Sequence, residues 1–110
     1  MMDFVSAEQI QEWKKEYGEV YEVRSDSEEE TSLPVLYFRK PNRQDLSRLF
    51  KEIMQDIYKA LNNLIFACLL YPSAEVVRKA FDDKPGLVLS VGGELQKAVG
   101  ANRNFFTREL

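Results

Sequence analysis

The side chains with chemical potential in this chain are few, and their spacing argues against catalysis. Asp82-Asp83, Asp45 with Glu52, and Glu28-Glu29-Glu30 are the evident carboxylate groupings. General acid/base work needs two carboxyls facing one substrate in a cleft with separated pKa values, whereas these sit in a turn, on a helix surface and in a polar loop. Cys68 lies inside the apolar run Leu64–Tyr71, and with no histidine in the chain there is no imidazole to activate it. It reads as a buried structural thiol. The absence of histidine and the single cysteine also exclude a Cys/His zinc site and an internal disulfide. Val91-Gly92-Gly93-Glu94 lacks the Lys-Ser/Thr of a phosphate loop, and no G-x-G-x-x-G is present. No catalytic residue, metal ligand, cofactor or small-molecule substrate is expected.

What remains is binding. Arg39, Lys40, Arg43, Arg48 and Lys51 lie near Tyr37, Phe38 and Phe50, residue types that serve nucleic acid, a protein partner or a solvated face. Nucleic acid is disfavoured because the net charge is −3. Arg39, Lys40 and Arg43 are therefore kept as candidate partner-binding residues. Phe105 and Phe106 join them, since a polar tail has no local reason to carry two aromatics; they pack back onto the domain or meet another chain. Charge is unevenly distributed: residues 1–38 hold three basic and ten acidic residues, and residues 39–110 hold twelve and eight.

The elements that must position these groups belong to one domain. At 110 residues the chain can bury about two-thirds of its extended surface, enough for one core. Ser6 with Gln9 reads as a capping box and Val5 with Ile10 as a hydrophobic staple. A helix over 6–17 follows, with Trp13 as its anchor and Gly18 as its stop. Val20–Val23 and Leu33–Phe38 read as two strands of a hairpin over 19–39, with the acidic segment 25–32 as its loop. Pro34 places the second strand's start at an edge.

Asn42 reads as a cap. Leu46, Leu49, Phe50, Ile53, Met54, Ile57, Tyr58, Leu61, Leu64, Ile65, Cys68 and Leu69 then form one helical stripe. Its length suggests helices over about 43–61 and 62–71, broken at Asn62-Asn63. The apolar run at its end also fits a buried strand, though its attachment to the stripe favours helix. Helices over 74–82 and 86–99 complete the body, the last carrying Gly92-Gly93 as a close helix contact or a break. The expected fold is α+β: a mainly helical domain over 1–100, with an N-terminal helix and a two-stranded antiparallel β-hairpin packed on a helical body, and a tail over 101–110. The N-terminus lacks the basic and apolar regions of a secretory signal, and the longest apolar run is too short to span a bilayer, so a cytoplasmic protein without membrane association is expected.

Several phrases, in this order, resemble the tail assembly chaperones of long-tailed bacteriophages and prophages. They are Tyr37-Phe38-Arg39-Lys40-Pro41-Asn42-Arg43, Ala67-Cys68-Leu69-Leu70-Tyr71-Pro72-Ser73, Phe81-Asp82-Asp83-Lys84-Pro85-Gly86-Leu87 and Leu95-Gln96-Lys97-Ala98-Val99-Gly100. The likeness runs from about residue 8 to 100. It implies a non-catalytic protein of the bacterial host cytoplasm that coats the tape measure protein, hands it to tail tube protein, and is absent from the finished virion. It also implies self-association, offers no site residues to carry over, and is compatible with a longer frameshifted form. Segment 25–32 is longer than the family's loop. Two rivals stand beside this reading: a small cytosolic adaptor or regulatory domain that binds one folded partner through the basic patch, and an enzyme subunit whose chemistry lies on another chain.

Overall fold

The computed structural model describes residues 5–24, 35–98 and 107–110. The acidic segment 25–32, the strand start at Leu33-Pro34, and Phe105 and Phe106 lie outside them. Local chemistry explains the first element. The Ser6 hydroxyl accepts from the Gln9 N–H at 3.1 Å, starting α1 (Ala7–Tyr17). Gly18, at a φ of 86°, ends it by donating its N–H to the Lys14 carbonyl, a conformation glycine adopts without strain.

β1 (Val20–Val23) and β2 (Leu36–Arg39) pair antiparallel, Tyr21 opposite Phe38 and Val23 opposite Leu36. The expected hairpin pairing is present, but the sheet has a third strand. β3 (Leu69–Tyr71) pairs antiparallel with β2, giving the order β1-β2-β3. Tyr37 opposes Tyr71 and Phe38 opposes Leu69, so β3 takes an extra residue at Leu70. The helix expected over 62–71 therefore ends early. Leu69 is already extended (φ −65°, ψ 127°), Pro72 disfavours helix at Tyr71, and the open side of β2 supplies the missing backbone partners.

Alternation along β2 sorts its residues. Leu36 and Phe38 enter the core, while Tyr37 faces the other way. There Trp13 meets Tyr37 at 5.8 Å between ring centroids, anchoring α1 on the outer face of the sheet, and Tyr71 meets it at 6.4 Å. α1 buries no residue completely.

The second correction concerns the long stripe. It divides into α2 (Arg43–Ile53) and α3 (Ile57–Cys68), with the break at 54–56 and not at Asn62-Asn63. The Glu52 carbonyl accepts from the N–H groups of Gln55 and Asp56, and the Asp56 carboxylate then caps α3 at the Lys59 N–H. Asn63 is no breaker: its amide donates to the Glu52 carboxylate, tying the two helices together. The chain turns here onto a new axis, so Phe50, Met54, Ile57 and Tyr58, expected in the core, are exposed.

α3 is the central helix, burying Ala60, Leu61, Leu64, Ile65 and Cys68. α4 (Ala74–Asp83) contributes Val77, Ala80 and Phe81. Phe81 meets Phe66 edge-on, and the Arg78 guanidinium lies 4.9 Å from the other aromatic centroid, that of Phe66. α5 (Leu87–Ala98) buries Val88, Val91, Gly92 and Leu95, one helical face. Leu89, next to the fully buried Val88, faces out.

α5 is continuous through its two glycines, which have different roles. A Cβ at Gly92 would lie 3.0 Å from Leu61 Cδ2 and 3.2 Å from Leu61 Cβ, while one at Gly93 meets nothing within 4 Å. Leu61 is buried and its Cβ cannot rotate away. Gly92→Ala is expected to destabilise by about 1–3 kcal/mol through overpacking, and Gly93→Ala to stabilise by about 0.5–1 kcal/mol through helix propensity. Denaturation midpoints of the two variants should move in opposite directions.

Candidate functional site

The basic patch read from the sequence divides into three. Arg39 turns inward. Its Nη1 donates to Asp45 Oδ2 at 2.8 Å and to the Lys40 carbonyl at 3.2 Å, and its Nη2 donates to the Ala67 carbonyl at 2.9 Å. It thus joins the end of β2, the start of α2 and the end of α3. Lys40 is exposed but paired with Glu19 at 2.9 Å, a bond that raises the lysine pKa and lowers that of the glutamate. Arg43, on the first turn of α2, is exposed and makes no ion pair among the described residues. Of the three candidates, Arg43 alone presents a free cationic head.

Asp45 is the residue that sequence reasoning placed on a surface and the structure buries, at 7% exposure. Its Oδ2 accepts from the Asn42 N–H at 2.9 Å, while Asn42 Oδ1 accepts from the Asp45 N–H at 2.8 Å, a complete capping box. Arg48 adds a charge 3.7 Å from Oδ1. Burial alone would raise the Asp45 pKa, but the Arg39 hydrogen bond, the Asn42 N–H and the two guanidinium charges outweigh it and hold the carboxyl below its ordinary value. Cys68 Sγ lies 3.8 Å from Asp45 Oδ2. Burial, reinforced by that carboxylate against the pull of Arg39, pushes the thiol up to about 12. So protonated a thiol is a poor nucleophile, consistent with the structural reading of Cys68.

This cluster acts as a latch between β2, α2 and α3, each group in it being engaged by another. No buried side-chain nitrogen or oxygen among the described residues lacks a hydrogen-bond partner, and no group of three or more metal-ligating side chains is found among them.

The feature open to a partner is the corner between α2 and α3. Met54 is 88% exposed and Phe50 59%, with Ile57 and Tyr58 also exposed just past the turn. Four large apolar side chains within nine consecutive positions form a grouped surface, unlike the scattered Val76 and Leu89. Periodicity hid this corner, because the apolar spacing runs unbroken through the turn. The one available signal was Asp56, a capping residue three positions before Lys59.

Residues 13–108, spanning α1 to the C-terminal segment, match the family model of DUF6848, a domain of unknown function. The chain belongs to the DUF6848 family. A solved structure of an uncharacterised protein, rbstp2171, from Bacillus stearothermophilus is similar to it at 33% identity, covering 89% of this chain and 98% of that one, with a TM-score of 0.74. Among curated proteins, no match is found. The family match takes in both the Arg39–Asp45 latch and the α2–α3 corner.

Proposed function

We propose that this chain is a non-catalytic tail assembly chaperone of a phage or prophage, which binds the tape measure protein in the bacterial cytoplasm and keeps it soluble until tail tube protein takes over. The observation that carries the protein-binding part is the exposed corner of Phe50, Met54, Ile57 and Tyr58. Grouped apolar side chains on a surface are what a protein partner covers. The phrases around Tyr37–Arg43 and Ala67–Ser73 supply the likeness to the chaperone family. No helix among the described residues is long and apolar enough to cross a membrane, which fits a protein acting on another polypeptide in the cytoplasm.

The test is co-expression with the tape-measure-like product of the nearest downstream gene. The expected result is a larger soluble fraction of that product and co-elution of the two on size exclusion. A tape measure protein that stays insoluble beside a folded, abundant partner would overturn the chaperone reading in favour of the adaptor.

A further inference from the structure

We infer that the outward face of α2, continued onto the α2–α3 corner, docks an amphipathic helix of a partner protein that carries acidic residues beside its apolar stripe. The inference rests on the protein-binding reading above. Arg43, Ser47, Phe50 and Met54 are spaced by four, three and four, so they share one face of α2 opposite its buried Asp45 and Leu49. All four are exposed, and the face they share is about 16 Å long by helical rise. A 4-3-4 spacing with apolar residues at one end is the seam against which a second helix lays its own three- and four-spaced side chains.

Charge selects the kind of helix. Besides this stripe the exposed residues of α2 are Gln44, Arg48, Lys51 and, at the edge, none that is acidic. The helix has two carboxylates, Asp45 and Glu52. Asp45 is held by Arg39 and Asn42, and Glu52 accepts from Asn63. Arg43 and Lys51 make no ion pair among the described residues. The outward face of α2 therefore carries Arg43 and Lys51 with no carboxylate of its own, the corner's exposed Asp56 being engaged in capping α3, and glutamates or aspartates beside the partner's apolar stripe complement it. A second copy docking through the same face would bring two cationic faces together, which is repulsive. Met54 is the most exposed apolar group of this face, and although Phe50 beside it offers a ring, the chain's net charge of −3 makes a protein fit better than a nucleic acid.

Two fluorescent, designed helical peptides of roughly 18 residues test this, both with leucines at helical spacing, one flanked by glutamates and the other by lysines. Anisotropy with the full chain should show the glutamate peptide binding about tenfold tighter than the lysine peptide at low salt, with the difference shrinking at high salt. Phe50→Ser/Met54→Ser should weaken the glutamate peptide at all salt concentrations, and Arg43→Glu/Lys51→Glu should reverse the preference between peptides. These exposed positions leave the melting temperature in place, which circular dichroism confirms. Equal binding of the two peptides, indifference to the four substitutions, a dimer that the Arg43→Glu/Lys51→Glu variant abolishes, or tighter capture of a single-stranded RNA oligonucleotide would each overturn the inference. The assay contains no tape measure protein, so the two readings fail separately. A chain that solubilises the tape measure protein but ignores the acidic peptide refutes the docking face alone, and one that binds the peptide yet leaves the tape measure protein insoluble refutes the chaperone reading alone.

Discussion

Asp45→Ala is expected to remove on the order of 3–5 kcal/mol of stability, the cost of breaking a buried charge pair from one side. The substitution takes the 2.8 Å partner from the Arg39 guanidinium and the acceptor from the Asn42 N–H, leaving Arg39 with the Ala67 and Lys40 carbonyls. It therefore strands a cation and uncaps α2 at once. Replacing both partners, as Arg39→Met/Asp45→Leu, should recover much of the loss, because apolar side chains of similar volume leave no charge to desolvate. Urea titrations of the two single variants and the double variant check this. The pH dependence has a definite sign. The Asp45 carboxyl titrates lower when folded than when unfolded, so its stabilising contribution is complete above the unfolded value of about 3.9 and is lost as pH falls through the depressed folded value. In Asp45→Asn that contribution is absent, so the stability difference from wild type should narrow below about pH 4.

Phe38→Ala is expected to cost about 3–5 kcal/mol, whereas Phe50→Ala should change stability by no more than about 0.5 kcal/mol. Phe38 is completely buried, on the middle strand between Tyr21 and Leu69, where it joins the sheet to the helical body. Phe50 is mostly in solvent. Thermal melts of the two variants separate a phenylalanine that holds the core from one left free for a partner. A Phe50→Ala loss as large as that of Phe38→Ala would mean that the corner is packed and not open.

Several elements were legible because local chemistry decides them. Ser6 and Gly18 bound α1 through bonds to neighbours three and four residues away, and Asn42 caps α2 in the same way. The alternatives left for Gly92-Gly93 were settled by Leu61, since a close helix contact needs a partner that only the fold brings near. The third strand was legible only as the less favoured alternative for the apolar run at the end of the stripe: Leu69–Tyr71 carries no further strand signal, and becomes a strand because β2 has an unpaired side. Arg39 looked like its neighbours Lys40 and Arg43, yet its partners lie 6 and 28 residues away, a distance over which no sequence pattern operates. The candidate docking corner stayed invisible because a stripe of correct spacing carries no mark of where the backbone changes direction.

The strands β2 and β3 stand at the two ends of one helical hairpin, α2 and α3, and Arg39 ties the ends together by reaching both Asp45 and the Ala67 carbonyl. Residues 36–71 thus form a closed loop of chain. Short loops close at lower entropic cost than long ones, and topologies rich in nearby pairings fold faster. By that measure the α2–α3 turn and the β1–β2 pairing close shorter loops than the β2–β3 pairing, so these two local units are expected to form early, with β3, α4 and α5 joining afterwards. The helical turn that carries the exposed corner is then expected to be among the first parts of the molecule to organise.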